Sequence, residues 1–337
     1  MFVVKSMIFI DNCLLKRSDP VIDTMEVPPN HCPGIESSNA GKVDACEGCP
    51  NRGLCASGEA KTGPDPVVTE IADRLKTIKH IVLVMSGKGG VGKSTVSTLL
   101  ARYLAKDKTI NVGLLDIDIC GPSIPKTMGV EGEEVHQSMS GWSPIYVTDN
   151  LSVMSCGFLL GSADDAVIWR GPKKNTIIKQ FLNDVDWDQL EYLVVDTPPG
   201  TSDEHLSVVS YLKKCSNLKG VIIVTTPQEV ALMDVRKQID FCERVGLKVL
   251  GVIQNMTTFF CPNCSKESTI FKHSKNGMQA LLEKEIPVLG TLPLDPLIGK
   301  SCDEAIDMFE DNQSKTIKNF EIIGNKLIEI LNKSNTD

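Results

Sequence analysis

No apolar run in this 337-residue chain approaches the ~20 residues of a membrane-spanning helix. No helical membrane span is therefore expected. An excess of positive charge is also missing: 35 Lys and Arg face 43 Asp and Glu, for a formal net charge of −8. A general binder of nucleic acid or of anionic membranes would cluster Lys and Arg instead. There are no internal repeats. The stretch Met1–Ile10 is apolar, but Lys5 interrupts it, Asp11 closes it and no small-residue cleavage site follows. Secretion is therefore not expected. The expectation is a cytoplasmic protein, with the nucleus as a second location. Residues 1–25 are expected to be a disordered extension, with Met25 as an alternative start.

Cysteine, in contrast, is plentiful at twelve residues. In a reducing compartment this points to metal or cluster binding rather than disulfides. Six cysteines form two tight sets. Cys13, Cys120, Cys156, Cys215, Cys242 and Cys302 are scattered, and are expected to be small buried hydrophobes or inert thiols. Hydrophobic residues make up 42% of the chain, ordinary for a globular core.

The run Gly87-Lys88-Gly89-Gly90-Val91-Gly92-Lys93-Ser94 fits the phosphate-loop frame Gly-x4-Gly-Lys-Ser. Its glycines let backbone N–H groups curl around phosphates, Lys93 reaches the β- and γ-phosphates, and the Ser94 hydroxyl can sit on Mg²⁺. The context agrees. His80–Ser86 reads as a buried parallel strand, and Ser94–Lys106, with Thr95 in its first turn, reads as a helix whose N-terminus faces the anion. Lys88 is one lysine more than such a loop needs.

Strand-like runs at 110–115, 151–156, 192–196, 220–225, 248–255 and 286–292 alternate with helical patterns at 202–212, 230–245 and 277–284. This predicts an α/β fold: a doubly wound, mostly parallel sheet with helices on both faces. A linker or helix at 65–79 leads into it. The last pattern, 316–332, has Phe320, Ile323, Leu327 and Ile330 on one side, and is expected to pack on its own domain rather than on a membrane. Residues 26–66 are nearly empty of large apolar side chains and need a bound metal to order them. The domains read as the 1–25 extension, a 26–66 cysteine-rich segment and a 67–337 nucleotide-binding domain.

Asp196 follows an apolar strand, where an acid would hold Mg²⁺ directly or through water. The Pro198-Pro199-Gly200 turn after it suits a loop that senses the γ-phosphate. Asp116 and Asp118 end the preceding strand on one face. Asp118 is the choice for orienting the attacking water or Mg²⁺, while Asp116 either joins it or caps the next turn. No Asn-Lys-x-Asp guanine motif occurs, so ATP is expected. Asn255, at a strand end, is a candidate contact to the adenine edge.

Cys32, Cys46, Cys49 and Cys55 supply four thiolates, the complement of one [4Fe–4S] cluster or one tetrahedral zinc. The imidazole of His31 beside them is expected to be exposed. Cys261-Pro262-Asn263-Cys264 is half of such a site, and a symmetric second subunit is the economical source of the rest.

The Lys88-bearing loop resembles the deviant Walker A of the MinD/Mrp ATPases. The two cysteine sets, with the strings Asp116–Pro125, Ala166–Lys174 and Asp196–His205, narrow the resemblance to cytosolic iron–sulfur cluster assembly scaffold ATPases of the nucleotide-binding protein 1 type. The resemblance runs from about Val27 to Cys302. It implies a slow ATP hydrolase that holds one [4Fe–4S] cluster tightly on the N-terminal quartet and a labile one bridged between subunits by Cys261 and Cys264. It implies transfer of clusters to cytosolic and nuclear apoproteins through downstream targeting factors. The implied assembly is a homodimer, or a heterotetramer with a paralogous scaffold ATPase, with neither nucleic acid nor membrane as partner. It gives Lys88 a role across the dimer, on the facing subunit's nucleotide, much as an arginine finger acts. One departure is Gln254, where the family commonly has Glu before Asn255. The alternative reading is a MinD/ParA-like positioning ATPase with structural zinc.

Overall fold

The computed structural model describes residues 66–160, 169, 171–261, 264, 266–271, 281, 283–310 and 314–333, with 39, 41–47, 49 and 52–57 nearer the N-terminus. The expectations for residues 1–25, His31 and Cys32 lie outside the described residues, as does most of the helical pattern at 277–284. The chain divides into two compact units, Met1–Pro64 and Asp65–Asp337. In the first, a short helical turn, Asp44–Cys46, precedes the helix α1, Arg52–Ser57.

The second unit is built on eight strands: β1 (Ile78–Ser86), β2 (Val112–Asp116), β3 (Ile145–Thr148), β4 (Leu151–Ser155), β5 (Leu190–Pro199), β6 (Leu218–Thr225), β7 (Val249–Gln254) and β10 (Val288–Thr291). Their order is β10-β7-β6-β1-β5-β2-β4-β3. All neighbours are parallel except the edge pair β3–β4. No sequence pattern marks β3. Its residues alternate between half-buried and exposed, so it lacks the continuous apolar run that marks a strand covered on both faces. A separate hairpin of β8 (Thr258–Phe260) and β9 (Glu267–Thr269) was also unforeseen.

Period-2 alternation divides the core. From β1, Val82 and Val84 face one layer while Ile81, Leu83 and Met85 face the other. The first layer packs on α3 (Lys93–Leu104), α4 (Ile124–Met128), α8 (Pro296–Glu304) and α9 (Lys315–Lys333). The second packs on α2 (Pro66–Leu75), α5 (Gly171–Asn183), α6 (Asp203–Leu212) and α7 (Glu229–Val245). The two-sided cover explains the unbroken apolar runs of the central strands, Ile81–Met85, Leu193–Val195 and Val221–Val224. In α9, Phe320, Ile323 and Leu327 are buried in the first layer and Ile330 packs against it. The helix thus spends its apolar stripe on its own domain, as expected. No helix among the described residues is long and apolar enough to cross a membrane.

In this parallel order, Ser86, Asp116 and Asp196 sit near the carboxyl ends of β1, β2 and β5, where loops of a doubly wound sheet bind ligands. Asp116 is the register partner of Asp196. Two acids that stand 80 residues apart in sequence are thereby brought side by side.

Candidate nucleotide site

The loop between β1 and α3 carries the phosphate-loop residues. Gly92 caps α3 at φ +87°, a conformation L side chains rarely adopt. A Cβ there would also run into the Asn255 amide. Gly87 is required for a second reason, because a Cβ would come within 2.6 Å of the Asp234 side chain on α7.

Lys93 is buried, and its ammonium lies 2.7 Å from Asp196 Oδ2 and 3.5 Å from Asp118 Oδ2. Ser94 Oγ donates to Asp196 Oδ2 at 2.6 Å, and Ser97 Oγ donates to Asp196 Oδ1 at the same distance. Asp196 thus gathers Lys93, Ser94 and Ser97. A buried carboxylate beside a serine hydroxyl and a lysine is the donor set a Mg²⁺–phosphate group requires. Ser97 was not singled out from the sequence. Its signal was its place one helical turn after Lys93, on the same face of α3.

The two aspartates after β2 have different roles. Asp116, fully buried, ends the strand; its Oδ1 accepts from the Asp118 N–H at 3.0 Å and its Oδ2 from Ser155 Oγ at 3.0 Å. It holds the turn and also faces Asp196. Burial and the Asp196 charge raise its pKa to about 8, against the pull of Lys93. Asp118 lies beyond the strand and lines the phosphate cavity. Burial raises its pKa too, opposed by Lys93.

Lys88, the surplus lysine, lies 2.9 Å from Asp234 Oδ2, and Lys237 approaches the same residue at 3.0 Å. These pairings hold the Asp234 carboxyl below the usual range. Lys88 also lines the phosphate cavity, a space of about 210 Å³ bounded by Gly89, Gly90, Lys93, Ser94 and Asp118.

Gly92 and Thr95 line this cavity and also a second one, of about 420 Å³. The second is more apolar, walled by Met256, Phe259, Leu294 and Ile298, with Asn255 and Cys302 at its edge. The two together form a phosphate cradle joined to a slot suited to a base and sugar. Asn255 Nδ2 donates to Val91 O at 3.0 Å, and Asn255 Oδ1 accepts from the Met256 N–H at 2.9 Å. Its amide therefore braces the phosphate loop as well as facing the slot. Gln254, at the end of β7, is buried. A third cavity, of about 440 Å³ beside Pro122 and Phe158, carries Glu131, Glu133 and Glu134 and is unsuited to phosphate.

The segment after β7 also carries the second cysteine pair. Phe259 in β8 lines the slot, and Cys261 and Cys264 lie just beyond, in the turn between β8 and β9. Cys261 N–H donates to Lys266 O at 3.1 Å, which closes that turn. Cys261 is half-buried and Cys264 exposed. In the N-terminal unit, the Cys49 N–H donates to Cys46 O at 3.2 Å, and Cys55 lies on α1. Cys46 is buried, with Cys49 and Cys55 half-buried. Among the described residues no three Cys, His, Asp or Glu converge as a metal site. The all-thiol donor set still suits iron or zinc. Of the scattered cysteines, Cys156, Cys215 and Cys242 are buried with thiols pushed up by burial, as expected of inert core residues.

A phosphate loop at the carboxyl edge of a doubly wound sheet, with Asp196 facing its lysine and serine, defines a nucleotide-binding P-loop ATPase. Residues 77–328 match the ParA family described as NUBPL iron-transfer P-loop NTPase, and the chain belongs to that family. It is similar to the nucleotide-binding protein of Archaeoglobus fulgidus in complex with ADP. That match has 35% identity and a TM-score of 0.63, covering 75% of this chain and 96% of that one. The cell division ATPase MinD of Pyrococcus furiosus matches at 20% identity and a TM-score of 0.53, over 75% of this chain and 99% of its own. MinD of Pyrococcus horikoshii, complexed with Mg-ADP, matches at 20% identity and a TM-score of 0.51, over 74% and 95%. These last two show the shared fold.

Proposed function

We propose that this chain is an ATP-dependent scaffold that assembles [4Fe–4S] clusters and passes them to cytosolic and nuclear apoproteins. The observation that carries this reading is the adjacency of the Cys261–Cys264 turn to the nucleotide slot, through Phe259. The iron-transfer description of the family supports it. The cluster is cargo. Cys32, Cys46, Cys49 and Cys55 hold one tightly, and Cys261 and Cys264 share a labile one with the same pair of a facing subunit. The assembly is a homodimer, or a heterotetramer with a paralogous scaffold ATPase, and it hands clusters to targeting factors in the cytoplasm and nucleus. Hydrolysis is slow. Lys93, Ser94 and Asp196 hold Mg²⁺ and phosphate, Asp118 orients water, and Lys88 reaches the facing subunit's nucleotide. Asn255 borders the adenine.

Cluster transfer tests this directly. Protein loaded with iron and sulfide under anaerobic conditions is mixed with an apoprotein that offers four cysteines. ATP should accelerate the loss of iron to the acceptor, and Cys261→Ala with Cys264→Ala should stop it. Retention of all iron by the wild type, with or without ATP, would overturn the reading.

A second reading, a MinD/ParA-like positioning ATPase with structural zinc, is supported by the fold that the chain shares with the MinD proteins. ATP-dependent sedimentation with liposomes, lost on disrupting residues 316–332, would favour it.

A further inference from the structure

The slot lies between two helices, and a buried side chain that lines neither nucleotide cavity ties those helices together. Thr95, in the first turn of α3, lines one side; Ile298, Gly299, Cys302 and Asp303 of α8 line the other. Across the gap, the Cys302 thiol lies 3.9 Å from Thr95 Oγ1. Arg102 stands about two helical turns beyond Thr95 on α3, and it is only 7% exposed. Its Nη2 donates to Ala305 O at 3.0 Å and to Thr127 O at 3.4 Å. Its Nη1 lies 3.6 Å from Asp307 Oδ2. Ala305 is the C-cap of α8, and Thr127 lies in the last turn of α4. One guanidinium therefore meets the carbonyl ends of two helices, where a cation is favoured.

The backbone at Ala305 shows how firmly this end of α8 is held. Ala305 adopts φ +56°, which a residue other than glycine takes rarely. Such a conformation persists where its surroundings over-determine it. Here Arg102 holds the Ala305 carbonyl, the Ala305 N–H donates to Ser301 O, and Gly129 packs so close that a Cβ there would come within 2.8 Å of Ala305 Cβ. α3 and α4 have a link of their own, because the Thr98 and Thr127 hydroxyls share a hydrogen bond at 2.9 Å. Arg102 adds α8 to that pair. The start of α8 is fixed elsewhere: Asp295 Oδ1 accepts from the Leu297 N–H at 2.9 Å, and Asp295 Oδ2 from Thr316 Oγ1 on α9 at 2.5 Å.

We propose that Arg102 is a positioning residue for the nucleoside half of the bound nucleotide: it holds the end of α8 against α3 and so sets the width of the slot. The phosphate cradle is built without it, from Lys93, Ser94 and the glycine N–H groups. Removing the guanidinium takes a charged donor from Ala305 O and from the buried Thr127 O, and bonds from charged donors are the stronger ones. The far end of α8 then loosens, and contacts to base and sugar weaken while those to phosphate stay. The inference rests on the slot being the site of base and sugar, and is independent of whether the cysteines carry a cluster.

The test uses the full chain with Arg102→Met and Arg102→Lys, measuring calorimetric binding of Mg-ADP and of Mg-pyrophosphate, ATP hydrolysis and amide hydrogen exchange. Arg102→Met should weaken ADP binding and raise KM for ATP by about tenfold, while pyrophosphate affinity and kcat change less than about twofold. Exchange should quicken in 297–305 and keep its wild-type rate in 93–98. Arg102→Lys, which keeps a donor for Ala305 O, should recover most of the ADP affinity. Equal weakening of ADP and pyrophosphate, which a general loss of structure would give, or no weakening of either, would overturn the proposal. Should Arg102→Met fail to fold, Asp307→Asn should show the same split between the two ligands at about threefold, and its absence would count equally against the proposal. A wild-type chain that binds ADP no more tightly than pyrophosphate would contradict the slot reading instead, and exchange in 297–305 would still decide whether Arg102 holds α8.

Discussion

Lys88 Nζ lies 2.9 Å from Asp234 Oδ2, so the extra lysine of the phosphate loop is paired with α7 of its own chain. Gly87, the residue before it, packs against the same aspartate. A reach across a dimer therefore requires that this pair part first. The Lys88 side chain is 41% exposed, and pairs of that kind contribute about 0–1 kcal/mol. Asp234→Asn should accordingly favour ATP-dependent dimerisation by up to about fivefold in concentration. Analytical ultracentrifugation of the two proteins with ATP and Mg²⁺ measures it. In the companion experiment, Lys88→Ala should keep ATP affinity and depress hydrolysis. Equal hydrolysis in that variant would contradict a trans role.

Lys93 balances Asp196 at 2.7 Å and Asp118 at 3.5 Å. Lys93→Ala should abolish productive ATP binding, and it should also leave a buried carboxylate without its cation. Breaking a buried pair in this way costs about 3–5 kcal/mol. Calorimetric binding and thermal melts without nucleotide report the two effects separately.

Gly92→Ala combines a positive φ with a collision at Asn255. Strain of this kind costs about 1–3 kcal/mol before the collision is counted. Asn255 braces the loop through Val91 O, so the change should weaken nucleotide binding as well as lower the melting temperature. Gly246, also at positive φ but with open space around it, serves as the control: Gly246→Ala should cost stability and leave binding intact.

His205 provides a pH dependence. It is buried, and Nδ1 accepts from the Ser202 N–H at 3.1 Å; burial lowers its pKa from 6.5 to about 4. Between those values the unfolded chain binds more protons than the folded one, so stability is fully present above pH 6.5 and is lost as pH falls toward 4. The shift corresponds to about 3 kcal/mol across that window. His205→Gln should flatten the melting profile between pH 6.5 and 5 relative to wild type.

How far these features could be read from sequence depends on whether they are local. The phosphate loop and α3 are contiguous, and β1 and β5 carry unbroken apolar runs, Ile81–Met85 and Leu193–Val195, because helices cover both faces of the sheet. The strands that the apolar runs marked, and α3, α6, α7 and α9, were therefore legible to within a few residues, whereas α4, α5 and α8 were not foreseen. The division of labour between Asp116 and Asp118 was not. Period 2 places both on one face, but only the register of β2 on β5 sets Asp116 against Asp196. The Lys88–Asp234 pair joins residues 146 apart in sequence, and α7 shows no local sign that it packs on the phosphate loop. β3 escaped because an edge strand with one face half-exposed lacks a continuous apolar run. The β8–β9 hairpin escaped because each strand is only three residues long.

Iron content separates a cluster on the N-terminal cysteines from zinc. The full chain is reconstituted anaerobically with iron and sulfide, desalted, and assayed for iron, zinc and visible absorption. About four iron atoms per N-terminal site, with their charge-transfer absorption, are expected, and Cys46→Ala or Cys49→Ala should lose them. Stoichiometric zinc with no visible absorption would contradict a cluster there.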